Sequence, residues 1–429
     1  MKTSKWASLI SIILVLGVQL HAEKILLTPE TAVESALANN ISIRQNKITL
    51  DSKKREKSSA WGVISPTASI SANYSKTLPA VENKKDSISL GASVRTTLTP
   101  GIFVQVEKTK IALEQQEISY ETAERSIQLA VLQSYYGILY NIENLSLLEN
   151  SLETKKKQYE SNKARYDRGL LSRVDVLSAQ ITVQNTELNV ESQKINLENS
   201  IDQFKQVVGI AQEDQVEFSG SFEKYLRLEK IKTEDLEKNS ASIAVLEKQL
   251  ENERNNLLMA KYSAYGPSLS AGYSYSYGSN DGGENWNDGG TLSLGATIPL
   301  DGFLPWSKSA QSIEAQKESI STLELKLENE RTSYEIKTRN LVKKINQYID
   351  NIRVRKNSID LAQTNYTMTI EAYNHGTRDL LTLQAAHDNL MSAKVNLVAE
   401  ANSLACAIHE LEYECGWEFG RLTGDRNEK

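Results

Sequence analysis

Residue types that could do catalytic or metal chemistry are sparse in this 429-residue chain. Beyond the N-terminal apolar stretch, His375, His387 and His409 are the remaining histidines, and the two cysteines are Cys406 and Cys415. Nine helical residues would put the cysteines on opposite faces and roughly 13 Å apart along the axis. That is too far for a disulfide, unless the helix has already ended near Gly416. Cys406 and His409 would share a face with Cys415 well away, which points to buried structural residues rather than a metal centre. The stretch from Asn280 to Gly290, with Asp281, Glu284 and Asp288, superficially resembles a calcium loop. It lacks the ligand spacing and final Glu of an EF-hand and reads as a solvated surface loop. There is no phosphate-binding glycine loop, no Gly-x-Ser-x-Gly elbow and no zinc-type Cys/His set. The expectation is a non-enzyme without a cofactor.

Charge and hydropathy narrow the classes further. Lys2 and Lys5 precede the apolar run Leu9 to Val18, and the stretch closes at Leu20-His21-Ala22, so residues 1–22 read as a cleaved secretory signal. The alternative is a retained single anchor. No Cys follows, so a lipoprotein anchor is not indicated. Loss of the two lysines takes the net charge from −6 to −8, which argues against a nucleic-acid partner. Mean hydropathy is −0.43 and no further long apolar stretch occurs, which excludes a helical membrane protein. A β-barrel survives that test, because alternating strands give no hydropathy peak.

The elements that would position any site are written in heptads. Ile138, Leu145, Leu152, Tyr159 and Tyr166 form one series, and Ile345, Ile352, Ile359, Tyr366 and Tyr373 form another, each 207 residues after its counterpart. Both series end three residues before a glycine, Gly169 or Gly376. The same offset continues beyond, pairing Val176, Val183, Val190, Leu197 and Phe204 with Leu383, Leu390, Leu397, Leu404 and Leu411. The chain is a tandem duplication of long helical hairpins packed as coiled coils. The turns fall at 167–174 and 374–381, where glycine can take the left-handed conformation that stops a helix. The helix before Gly169 is expected from about Phe103, some 65 residues or roughly 100 Å. Val174, Ile181, Leu188 and Ile195 make a second stripe on the descending helix, about 200° from the first. A helix with two apolar sides is flanked by two neighbours, as in a closed ring; a four-helix bundle is the plainer alternative.

Four segments alternate with period two. Ala68, Ile70, Ala72 and Tyr74 oppose Thr67, Ser69, Ser71, Asn73 and Ser75, and Ile88, Leu90, Ala92 and Val94 oppose a face of Ser87, Ser89, Gly91, Ser93 and Arg95. The second half repeats the pattern over 268–277 and 291–298. Each strand is about 9 to 11 residues, enough to cross a bilayer when tilted, and Pro66, Pro100, Pro267 and Pro299 mark the helix-proximal ends. The two hairpins have small polar residues on one face, suiting a lumen, and tyrosines on the other, suiting an interfacial girdle. Soluble hairpins packed on a core are the alternative. The connecting loops are expected at 76–86 and 278–290, facing the cell exterior. Four strands cannot close a barrel, and open edges in lipid leave backbone groups unsatisfied. Two copies would give a filled eight-stranded barrel; three give room for a pore.

With these features in place, the chain resembles the TolC family of outer-membrane factors over nearly all of its mature length. The resemblance rests on Leu27-Thr28-Pro29-Glu30, Ala32, Ala36-Leu37 and Asn39-Asn40, on Ser65-Pro66-Thr67, and most specifically on the tips. Tyr166-Asp167-Arg168-Gly169 leads to Val176-Leu177-Ser178-Ala179-Gln180, and Tyr373-Asn374-His375-Gly376-Thr377-Arg378 is similar to the family's second copy. Membership implies a mainly α protomer with a membrane β-barrel part. It implies a homotrimer with a twelve-stranded barrel and a twelve-helix periplasmic α-barrel, set in outer-membrane lipid and extending into the periplasm. It also implies a periplasmic adaptor (membrane fusion protein) and an inner-membrane RND or ABC-type pump, with drugs, small molecules or secreted proteins as cargo. Expected units are the signal at 1–22, repeats at 23–209 and 233–413, an equatorial connection at 210–232 and a tail at 414–429. Their β-hairpins are expected at 65–99 and 267–300. The family often has an acidic residue where Ser178 and Ala385 stand, so the acidic constriction is expected to be displaced. Arg173, Asp175, Arg378 and Asp379 are the candidates for lining or latching the entrance through ion pairs, with Gly169, Gly376 and Thr377 at the tip turns and adaptor contacts. A periplasmic adaptor has one hairpin flanked by lipoyl-like halves, unlike the two hairpins and four strands here. A non-conducting spacer would not require a small polar lumen.

Overall fold

The computed structural model describes residues 25–76, 86–232 and 240–424; the signal, most of the 76–86 loop, the first residues of the second repeat and the end of the tail lie outside them. The first half runs β1 (Ile25–Leu27), α1 (Pro29–Asn39), α2 (Ile41–Ser58), β2 (Thr67–Ser75), β3 (Ser87–Leu98), α3 (Gly101–Asp167) and α4 (Arg173–Val208). A connection holding β4 (Val216–Phe218) and α5 (Glu223–Leu226) leads to α6 (Ala241–Tyr265), β5 (Ser268–Ser279), β6 (Asn287–Thr297), α7 (Lys308–Asn374) and α8 (Leu380–Glu414).

Local chemistry sets the short helices. Thr28 caps α1 by accepting the Thr31 N–H at 3.2 Å, with Pro29 in the first turn. Asn40 caps α2 by accepting the Ser42 N–H at 2.8 Å. The long helices follow the heptads: α3 and α7 have 67 residues each, about 100 Å apiece. In the lower part α3 packs on α4 and on α8, and α7 packs on α8, giving the order α4-α3-α8-α7. Nearer the strands the order is α2-α3-α6-α7. Both layers therefore leave α7 at one edge, with α4 or α2 at the other.

The strands form a single antiparallel four-stranded sheet, β2-β3-β5-β6, rather than two separate hairpins. Thr67 pairs with Arg95, Leu98 with Leu269, and Ser268 with Thr297. Serines face one another across it, with Ser69 to Ser93 at 2.9 Å and Ser75 to Ser87 at 2.8 Å. Among the described residues no element covers the apolar face: Ile70 is 89% exposed and Leu294 78%. A soluble sheet buries such a face, so the core-packed alternative is removed. The second loop is shorter than the expected 278–290, because β5 continues to Ser279 and Gly289 and Gly290 pair with Ser276 and Tyr275. Among the described residues no helix is long and apolar enough to cross a membrane.

The main core lies at mid-height, where β1 and β4 pair in parallel beside α1, α3, α4 and α8. Tyr135 is fully buried with its hydroxyl 2.8 Å from the Leu27 carbonyl and 2.5 Å from that of Ser219, and burial pushes it up to about 12. The tail is tied in by Glu412, itself inaccessible, which accepts the N–H of Gly420 at 3.0 Å and of Leu422 at 2.9 Å. His409 bridges Glu412 at 3.0 Å and the Tyr225 hydroxyl at 2.9 Å, clamping α5 to α8. The helix ends at Glu414, and no disulfide joins Cys406 to Cys415.

Candidate functional site at the paired helix tips

Each tip is built by the same local rule. After α3, Gly169 takes φ of 75° and the Leu170 N–H reaches the Arg165 carbonyl at 2.9 Å; after α7, Gly376 takes φ of 74° and the Thr377 N–H reaches the Ala372 carbonyl at 2.9 Å. These bonds satisfy the last helical carbonyls. A Cβ at either glycine would meet nothing within 4 Å, so the requirement is conformational and not one of space. Thr377 adds a hydroxyl bond to Ala372 at 2.9 Å.

The two hairpins are fastened together just above these turns. Ala179, Tyr373, Leu380 and Leu383 are buried in one cluster, with Tyr159, Tyr366 and Ile370 against it. Tyr373 donates to Asn162 Oδ1 at 2.8 Å, and Gln158 donates to the same oxygen at 3.1 Å. Asn162 is inaccessible and its Nδ2 has no partner among the described residues. The Arg165 guanidinium lies 5.4 Å from the Tyr373 ring centroid and donates to the Asn374 carbonyl at 3.2 Å. Between the descending helices, Gln384 donates to Thr182 at 3.2 Å. Higher up, Lys155 pairs with Asp388 at 3.0 Å. Beside that pair His387 is buried, its Nδ1 3.6 Å from Asp388 Oδ1 and without a hydrogen-bond partner among the described residues, its ring edge-on to Tyr366. Burial, with Lys155 adding to it and Asp388 opposing, holds the imidazole below its ordinary range.

The four charged candidates are at the tips but not in this fastening. Asp175 closes the start of α4: Ser172 Oγ accepts its N–H at 3.2 Å and donates to its carboxylate at 2.6 Å. Asp379 caps α8, accepting the Thr382 N–H at 2.8 Å, and bonding to Thr382 followed by the nearby Arg378 charge lowers its carboxyl. Arg173 and Arg378 are exposed, and none of the four makes an ion pair among the described residues of the protomer. The polar fastening of Asn162, Gln158, Arg165, Gln384 and Thr182 was not singled out by sequence. One signal existed: Asn162 follows Tyr159 by three residues, a seam position occupied by a polar side chain.

Among the described residues no group of His, Cys, Asp and Glu could hold a metal. In the outer loop Asp281 is satisfied by the Asn285 N–H at 2.9 Å and the Glu284 N–H at 3.0 Å, so its carboxylate closes the loop.

The family model for outer membrane efflux protein matches residues 32–209 and 233–413, both halves of the duplication. The chain belongs to this family. Its members are channels of the TolC type and not enzymes, and the protein is located in the outer membrane and reaches into the periplasm. Among solved structures the fold is similar to VceC from Vibrio cholerae, at TM-score 0.74 and 14% identity over 91% of this chain and 96% of that one. The Campylobacter jejuni CmeC outer membrane channel gives 0.72 and 18% over 90% and 85%. The open state of the Neisseria gonorrhoeae MtrE channel gives 0.69 and 15% over 91% and 89%. A comparison with curated protein sequences found no match. At these identities the solved structures speak for the fold alone, while the efflux role comes from the family.

Proposed function

We propose that three copies close into a twelve-stranded barrel on a twelve-helix duct. In this reading a pump of the RND or ABC type drives drugs, small molecules or proteins out through it, by way of a periplasmic adaptor. The observation that carries the reading is the pair of unfinished edges. β2 and β6 each have one unpaired side, which lipid does not tolerate. On the helices below, Val174, Ile181, Leu188 and Ile195 of α4 are exposed, as are Val354, Leu361 and Met368 of α7. Both stripes keep a seven-residue spacing and lie at opposite edges of the protomer, so each can seat on a neighbour's other edge.

The tips then form the inner entrance. Arg173, Asp175, Arg378 and Asp379, unpaired within one protomer, are placed to interact between protomers, and the exposed turns at Gly169, Gly376 and Thr377 offer the adaptor contact. Ile181 and Leu361 stand 12 and 15 residues from their respective tip glycines, nearly level. An Ile181→Cys, Leu361→Cys double variant should oxidise to a covalent trimer, and the purified trimer should show single-channel openings in a planar bilayer. Monomer only, with no conductance, would overturn the proposal.

A further inference from the structure

At the periplasmic end of the sheet, both connections from strand to helix carry large exposed apolar side chains. In the first, a short 3₁₀ turn at Ala60–Ile64 presents Trp61, which packs edge-on to Phe103 with ring centroids 6.0 Å apart. Trp61 is 52% exposed and Phe103 69%. In the second, a 3₁₀ turn at Asp301–Phe303 presents Phe303, edge-on to Tyr265 at 5.0 Å, and Trp306 follows at 75% exposed. Helical packing leaves these rings uncovered at the helix-proximal ends of the strands.

Immediately below them the charge changes sign relative to the chain as a whole. Lys54, Arg55 and Lys57 are exposed on the last turns of α2, a few residues before Trp61, and Lys308 is exposed two residues after Trp306. None of these four makes an ion pair among the described residues. Acidic neighbours are Glu56, which pairs with Lys53 at 2.7 Å, and Asp301; the chain carries −6 overall, so the excess of cations beside these rings is a local feature. The α2 cations also suit a helix C-terminus, but Lys308 sits at a helix start, where the macrodipole disfavours a cation. Helix stability does not account for it.

We propose that this collar of aromatic rings over basic side chains binds anionic phospholipid of the membrane's periplasmic leaflet. Trp61 and Trp306 occupy the headgroup boundary, as amphipathic aromatic rings do at both membrane surfaces, with the apolar rings of Phe103 and Phe303 beside them. Lys54, Arg55, Lys57 and Lys308 reach back along the headgroups to the phosphates, with their aliphatic stems against the rings. The occupant is lipid because the exposed rings adjoin the ends of strands whose apolar side chains are themselves uncovered, and the charge complements an anionic headgroup. The inference rests on the strands spanning the membrane.

The test uses full-length protein in vesicles of phosphatidylethanolamine with phosphatidylglycerol. Tryptophan fluorescence is quenched with lipids brominated at different acyl depths, and the contributions of Trp61 and Trp306 are taken as differences from W61F and W306F. Native mass spectrometry counts bound phosphatidylglycerol on wild type and on a K54Q/R55Q/K57Q/K308Q variant, and conductance is recorded for each. Strongest quenching by the shallowest bromine is expected, with phosphatidylglycerol affinity falling by roughly fivefold per residue neutralised while conductance persists. An unchanged phosphatidylglycerol count in the variant would overturn the proposal. So would tryptophans that no brominated lipid quenches, which would mean that a second copy covers them. Loss of conductance in wild type would instead tell against the channel reading itself.

Discussion

The Tyr373 hydroxyl donates to Asn162 Oδ1 at 2.8 Å, and this bond joins the end of α7 to α3, across the boundary between the two hairpins. Both partners are buried, so neither can exchange the bond for water without the hairpins parting. Gln158 supplies a second donor to the same oxygen, which leaves the tyrosine bond removable without orphaning Asn162 entirely.

Tyr373→Phe should therefore weaken the joint by about 1 kcal/mol, and Asn162→Ala by about 1–3 kcal/mol because it strands the buried phenol. Single-channel recording should show more frequent openings in both, with Asn162→Ala the larger. A thermal melt of the same samples checks the ranking, and equal opening rates in wild type and both variants would dismiss the joint as a gate.

The tip glycines are needed for their backbone angle. Gly169→Ala and Gly376→Ala place a Cβ in open space but at positive φ, costing about 1–2 kcal/mol each. Asn at either position should recover part of the loss. Denaturant unfolding of the four single variants tests the order Gly, then Asn, then Ala.

Acid should loosen the hairpin boundary through His387. Its folded value is lowered by burial first, so below about pH 6.5 the unfolded chain takes up a proton that the folded one resists. Stability from this group is full above that pH, falls as pH drops through 6.5 toward the folded value, and levels off there. Melting temperature measured at about pH 7.5 and 5.5 should fall less for His387→Leu than for wild type.

Glu412 holds the tail. Glu412→Ala leaves the Gly420 and Leu422 amides and His409 without their shared acceptor, at a cost of about 3–5 kcal/mol. Limited proteolysis should then cut within the tail beyond Gly416 while the coiled coils stay resistant. A tail protected to the same extent as wild type would show that other contacts suffice.

Much of the architecture was legible because it is periodic. The heptads marked α3, α4, α7 and α8, and the 207-residue offset predicted that their tips would match. Alternation marked the strands, but not the start of β6, since Gly289 and Gly290 pair in the ladder without side chains to alternate. β1 and β4 have three residues each, too few to show a period. The hairpin fastening was largely hidden because Gln158 and Gln384 look like any exposed polar positions on a helix, and only the seam position of Asn162 marked it. The Tyr225–His409 contact joins residues 184 apart, a pairing no spacing rule supplies. The charged tip residues were visible, but their capping roles depend on where each helix starts.

The duplication also sets up a comparison within the molecule. Displaced by the repeat, Tyr373 falls on Tyr166 and Asn162 on Thr369, yet Tyr166 is 40% exposed where Tyr373 is 5%. The bond is made once per protomer and joins its two hairpins, while its repeat-related position at Tyr166 makes no counterpart bond among the described residues of the protomer. In the proposed ring the aperture is then a shutter of six leaves, with three pinned joints within protomers alternating with three joints between them. Because each pin lies within a protomer, the pinned joints can release one at a time, and a mixed ring with a single Tyr373→Phe subunit should flicker to a partial conductance level that neither parent ring visits.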